Sequence, residues 1–197
     1  MTWIIMLSVI IGAMTGYLFF PSHWYDFTGL VIDIGLCLLL LFVGMDIGKQ
    51  KNTLAEIKKI GFNILAVPLM IGLGSIFGAL VFGHFVGLNY NESGAIGAGF
   101  GWYTLSAIML VDYSSEISAL AFLTNVIREV MAILMLPIVA KYIGHYEAVA
   151  PCGATAMDTT LPIIARYTTP KVAIVGFVSG VVLSSLVPLL VPIIINL

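Results

Sequence analysis

Arg128, Glu129 and Asp158 are ionisable side chains set in stretches whose neighbours are almost wholly apolar. Charges in such a setting mark a pathway or a buried pair more often than an accident of composition. Arg128 and Glu129 follow Asn125 in Asn-Val-Ile-Arg-Glu-Val. A helix starting near Ile117 places them about 17 Å along its axis, near the middle of a hydrocarbon layer about 30 Å thick. Each charge costs about 2.5–3.5 kcal/mol at that depth on insertion scales. Asn125, Ala121 and Ala132 make one face of this helix small and polar, so that face must look into protein or water.

Asp158 belongs to the stretch from Pro151 to Pro162, which carries Gly153 near its start and the hydroxyls of Thr155, Thr159 and Thr160. A continuous helix cannot easily pass both prolines and the glycine. The spacing predicts a half-helix from about Ala154 to Leu161, entered through unwound backbone. Irregular backbone at membrane depth persists only where it is buried in protein or lines a wet cavity, and the positive end of a half-helix, here Gly153–Thr155, suits an anionic group. A second broken stretch carries Gly94, Gly97, Gly99 and Gly101, followed by Trp102-Tyr103-Thr104-Leu105-Ser106. Both stretches leave backbone groups that lipid cannot satisfy, so Gly99–Ser106 is expected to face Gly153–Asp158 across one cavity. Trp102 and Tyr103 would offer it ring faces for an alkyl stem and an ammonium. Each residue also has a plainer role: an Arg128–Glu129 pair that fixes helix orientation, an Asp158 carboxylate satisfied at a helix N-terminus, and Trp102 and Tyr103 as core packing.

The elements that position these residues follow from composition. With 197 residues, 60% hydrophobic, 9% charged and a mean hydropathy of +1.11, the chain has more apolar surface than a soluble domain could bury. An all-α polytopic membrane protein is expected, as a single transmembrane domain over 1–197. Its continuous spans are Thr2–Phe20, Gly29–Gly48, Gly61–Phe82, Ala119–Tyr142 and Lys171–Leu197. The first three occupy residues 1–84, and the portion 93–197 holds the discontinuous segments 93–111 and 148–165. A pair of interrupted segments is a sequence pointer to a transport site. Small residues four apart, Gly12 with Gly16, Gly74 with Gly78 and Gly176 with Gly180, are expected to pack helices closely, and Pro68 to kink the third span.

Lys49, Lys51, Lys58 and Lys59 are half of the 8 basic residues. They mark a cytoplasmic loop, whereas 21–26 and 84–92 carry no Lys or Arg; the N-terminus is therefore expected to be cytoplasmic in a multi-pass cell-membrane protein. Lys141, Arg166 and Lys171 are too scattered in sequence to fix whether either broken segment crosses or re-enters. Met1–Phe20 lacks a basic n-region and small cleavage-site residues, so it is read as a retained span.

A net charge of −2 without a basic tract argues against a nucleic-acid partner. Cys37 and Cys152 have no metal-ligand spacing. The glycines at 94–101 follow no strand, there is no Gly-x-Ser-x-Gly elbow, and His23, His84 and His145 fall near span ends. A two-aspartate hydrolase would need Asp33 with Asp158, but Asp33, like Asp46, sits where an interfacial role suffices. No enzyme activity, cofactor or metal is expected.

Phe100-Gly101-Trp102-Tyr103-Thr104-Leu105-Ser106, then Asn125–Val130, then Cys152–Pro162 resemble successive signatures of the lysine exporter LysO family, as does Leu-Leu-Leu-Phe-Val-Gly-Met at 39–45. The resemblance implies export of L-lysine and its toxic analogues from the cytoplasm, driven by an ion gradient, with the proton as the expected coupling ion. Single-chain members carry about three further spans ahead of the part resembled here. A small second membrane subunit of about three spans is accordingly expected as partner, with a dimer of the assembly as a further arrangement. Lysine needs a carboxylate-binding group and at least one acid. Arg128 or the half-helix terminus could take the carboxylate, and Glu129 and Asp158 the ammonium groups or a proton. Asn125, Ser106, Thr155, Thr159 and Thr160 could supply neutral hydrogen bonds, and Trp102 and Tyr103 a wall. The competing class is a non-transporting membrane subunit that assembles or regulates a partner; interrupted backbone beside central charges favours the exporter.

Overall fold

Long apolar runs become long helices and the glycine- and proline-interrupted runs become short ones. The computed structural model describes residues 64–197 without a gap and, before them, isolated helical positions between Leu7 and Met45. The chain divides into two compact units, Met1–Lys49 and Gln50–Leu197. The bounds of the first two expected spans, and the lysines at 49–59, lie outside the described residues. All that follows concerns the second unit.

Helix α1, Ala66–Val86, closes at Gly87, whose φ of 87° allows its N–H and that of Leu88 to cap the last turn at His84 and Gly83. Pro68 lies in the first turn of α1, where a missing N–H costs nothing, so the expected kink has no cause. Helix α2, Tyr90–Gly97, starts where the Glu92 carboxylate accepts the N–H of Asn89 at 2.9 Å. After a non-helical turn, α3 runs Tyr103–Leu110. Helix α4, Ser115–Tyr142, begins four residues before the expected Ala119 because the Ser114 hydroxyl accepts the N–H of Ile117. Then come two 3-10 turns, Glu147–Val149 and Gly153–Met157, helix α5, Leu161–Tyr167, and helix α6, Pro170–Ile195, capped by Thr169. Helices α1, α4 and α6 are long and apolar enough to span a membrane, and the described residues contain no strand.

Hydrogen bonds between distant residues fix the directions. The Tyr113 hydroxyl, just beyond α3, donates to the Glu92 carboxylate at 3.1 Å, so α2 and α3 enter and leave at the same end. Asn91 donates to the carbonyl of Ile195 at 3.2 Å, which puts the last turn of α6 at that end too. Helix α4 departs from this end, and α6 must start at the opposite one. The second broken segment, which joins them, therefore also enters and leaves at one end. Two re-entrant hairpins result, hairpin 1 at 90–110 and hairpin 2 at 147–167, inserted from opposite ends. Lys141, Arg166 and Lys171, scattered in sequence, gather at the end from which hairpin 2 enters.

Small residues set the close approaches. A Cβ on Gly97 would lie 2.6 Å from that of Ala79, and one on Gly180 would lie 2.5 Å from the backbone nitrogen of Met157. Gly176 and Gly180 thus pack as expected. Gly74 and Gly78 meet nothing within 4 Å among the described residues; the close-packed face of α1 instead carries Gly72, Ser75, Ala79 and Gly83.

Candidate functional site

The two tips touch. The N–H of Ala154 donates to the carbonyl of Phe100 at 2.8 Å, and the chain reaches this contact through left-handed backbone at Phe100, Gly101 and Gly153, with φ of 49°, 102° and 60°. A Cβ on Gly153 would lie 2.2 Å from the Phe100 oxygen, so glycine is required there on both counts. Asn125 serves hairpin 1: its Oδ1 accepts the Gly101 N–H at 2.7 Å, while its Nδ2 donates to the Ala121 carbonyl at 2.8 Å and the Ser106 hydroxyl at 3.3 Å. Hairpin 2 uses its own hydroxyls. Thr155 donates to the Cys152 carbonyl at 2.8 Å and Thr160 to the Thr155 carbonyl at 2.9 Å.

The expected half-helix over Ala154–Leu161 is corrected in direction. A 3-10 turn ends at Met157, Asp158 follows it, and the α-helix begins rather than ends at Leu161. Pro162 explains this, since proline fits the first turn of a helix as readily as it stops one. The N–H of Ala154, at the terminus expected to receive an anion, already serves Phe100.

Beside the tip contact lies a cavity of about 190 Å³, lined by Gly101, Trp102, Tyr103, Thr104, Glu129, Ala154, Thr155, Met157, Asp158, Thr159 and Ser184. It gathers residues from both hairpins, α4 and α6. Along α4 it lies about 20 Å from one end of a helix about 42 Å long, at 1.5 Å per residue. The Thr159 hydroxyl joins the two acids, 2.5 Å from Glu129 Oε1 and 3.3 Å from Asp158 Oδ1, and Asp158 Oδ1 also accepts the Thr159 N–H at 2.6 Å. A hydroxyl has one proton to donate, so it can fully serve only one carboxylate at a time. Tyr103 is steadied edge-on against Phe122, with centroids 5.6 Å apart.

Of the residues singled out from sequence, Trp102, Tyr103, Glu129, Thr155, Asp158 and Thr159 come together at the cavity. Asn125, Ser106 and Thr160 lie behind it as hydrogen-bonding support. Arg128 is not among the lining residues either. Its guanidinium donates to the carbonyls of Pro151 and Ala150 and to the Ser75 hydroxyl. No ion pair joins it to Glu129 among the described residues, because adjacent positions on a helix point about 100° apart. Sequence reasoning did not single out Met157, Ser184 and Ser75. Ser184 had a signal, one and two turns beyond Gly180 and Gly176 on the same helix face; Ser75 had none. No group of three or more His, Cys, Asp or Glu suited to a metal occurs among the described residues.

Residues 6–195 match the family described as lysine exporter LysO. The chain is 33% identical over 157 residues to the lysine exporter LysO of Escherichia coli (strain K12), covering 79% of this chain and 52% of that protein. It therefore spans about half the length of that relative. It is 29% identical over 191 residues to a putative lysine exporter of Haemophilus influenzae, with 94% of each chain covered. No solved structure matches.

Proposed function

This chain belongs to the lysine exporter LysO family, and from that premise we propose that it is the substrate-handling part of a secondary exporter of L-lysine and its analogues, driven by an ion gradient. The observation that carries the reading is the pair of carboxylates, Glu129 and Asp158, sharing one hydroxyl in a cavity where two interrupted hairpins meet. An ammonium supplies several donors and displaces the single Thr159 hydroxyl from between the acids. A proton on either acid has the same effect on the other. Substrate and proton thus compete for one arrangement, which is the elementary requirement for exchanging one against the other across a membrane. Trp102 and Tyr103 present ring faces to the alkyl stem and its cation, and Thr155 and Ser184 give neutral hydrogen bonds.

In this proposal the end that collects Lys141, Arg166 and Lys171 is cytoplasmic. Hairpin 2 enters from the cytoplasm, hairpin 1 from outside, and the N-terminus is cytoplasmic, with five spans and two re-entrant hairpins in the cell membrane. The rest of the transport path comes from a small second membrane subunit. The support for that partner is the length of the Escherichia coli relative, of which this chain covers 52%. The test is release of labelled lysine from preloaded cells. Asp158→Asn keeps the shape and removes the charge, so it is expected to abolish release while the protein still inserts, as judged by blot. Release at the wild-type rate would overturn the assignment.

A further inference from the structure

The Arg128 guanidinium is turned toward backbone rather than toward the cavity. Its Nε donates to the Pro151 carbonyl at 3.1 Å, Nη2 to the Ala150 carbonyl at 3.5 Å and Nη1 to the Ser75 hydroxyl at 2.7 Å. That hydroxyl passes the link on by donating to the carbonyl of Gly97 at 2.8 Å. Ala150 and Pro151 lead into the tip of hairpin 2, and Gly97 leads into the tip of hairpin 1. A Cβ on Gly153 would lie 3.0 Å from Nη2, so the guanidinium packs directly against the tip.

We propose that Arg128 is a positioning residue which, through Ser75, latches the tips of both hairpins in register and does not bind the substrate carboxylate. The physical reason is a match of two needs. Carbonyls beside an unwound tip lack helical partners, and a cation in an apolar setting requires acceptors. A planar fork meets acceptors in two directions at once, which the single point charge of lysine cannot reproduce. The latch rests on the proposed export function only where lysine transport is the readout.

Cys152, buried between Pro151 and Gly153, is a built-in reporter. In the full chain with Cys37→Ser, the rate of Cys152 modification by N-ethylmaleimide measures opening of this turn. Ser75→Ala and Arg128→Met should each raise it about tenfold, the size expected for losing a charge-assisted hydrogen bond. Arg128→Lys should fall between, and the double variant should be no faster than Arg128→Met alone, because both break one chain of bonds. In lysine export, Ser75→Ala should raise KM together with Arg128→Met, although it leaves the charge in place. Unchanged labelling in both variants, with KM raised only by Arg128→Met, would make Arg128 a substrate ligand and overturn the latch. Labelling needs no transport, so a chain that exported no lysine would still report on it. If Arg128→Met failed to insert, Ser75→Ala would decide by the same two measurements.

Discussion

Hairpin 1 and hairpin 2 face one problem, backbone without helical partners among long apolar helices, and satisfy it by different chemistry. Hairpin 1 is served from outside: the Asn125 side chain on α4 accepts the N–H of Gly101. Hairpin 2 is served largely from within, by the hydroxyls of Thr155 and Thr160, and then seats on bare backbone of α6 at Gly176 and Gly180. The tip turn of hairpin 1 leans on a side chain of α4, whereas that of hairpin 2 closes on its own hydroxyls and is met by α4 at the preceding carbonyls of Ala150 and Pro151, through Arg128. The two acids divide along the same line. Glu129 stands on α4, which holds hairpin 1, and Asp158 stands on hairpin 2. The Thr159 hydroxyl is the hydrogen-bonded link between the two acids. In the proposed function, a cation arriving there acts on that link.

The largest expected effect breaks the contact that the hairpins share. Gly153→Ala adds a methyl 2.2 Å from the Phe100 oxygen at a φ of 60°, and left-handed backbone alone costs a non-glycine residue about 1–2 kcal/mol. Lysine release should fall below about a tenth of wild type, since 1.4 kcal/mol is already a factor of about ten. Gly101→Ala, also left-handed but with its nearest atom 3.6 Å away, should lose less. Equal losses would mean that the tip contact contributes nothing beyond backbone conformation.

The next effect sharpens the contrast between external and internal support. Asn125→Leu orphans the buried Gly101 N–H, at a cost of about 1–3 kcal/mol. Thr155→Val removes one hydroxyl from a hairpin in which the Thr160 hydroxyl still serves the Thr155 carbonyl. The thermal midpoint of the purified protein should drop further for Asn125→Leu. The reverse order would show hairpin 2 to be the tip that depends on polar support.

Which parts of this were legible in sequence depended on the range of the forces involved. Both tips announced themselves because glycine, proline and hydroxyl residues in apolar runs are local signals, and two of the three motifs that carried the family resemblance come from them, the third being Asn125–Val130 on α4. Re-entry was not legible, since it is fixed by a bond between Glu92 and Tyr113, 21 residues apart. Arg128 and Glu129 are neighbours in sequence and point to different partners in space, which spacing along the axis does not reveal. Pro162 reads as a stop in sequence and is a start in the structure, because the same fixed φ serves both. Ser75 reaches Arg128 from 53 residues away, with nothing in its own neighbourhood to single it out.

The smallest expected effect lies at the mouths of the hairpins, where the contrast becomes one of titration. The mouth of hairpin 1 is closed by Glu92, whose carboxyl is held below its ordinary value of 4.5 by the backbone N–H of Asn89 and, less strongly, by the Tyr113 phenol, against the opposing effect of burial. At the mouth of hairpin 2 the bonds of Thr168 and Thr169 are local hydroxyl caps, with Thr168 donating to the Ile164 carbonyl at 2.6 Å and Thr169 capping α6. A carboxyl depressed in the folded state stabilises it at pH values above 4.5, and that contribution is lost as pH falls through the folded value. Amide-exchange protection over 90–97 should therefore weaken below about pH 4.5, while protection over 161–167 should hold. Glu92→Gln should lower protection over 90–97 at neutral pH and remove its acid dependence. If both hairpins loosened together on acidification, or if the Gln variant kept the same dependence, the two mouths would be closed by a common cause and the distinction between them would fail at this end.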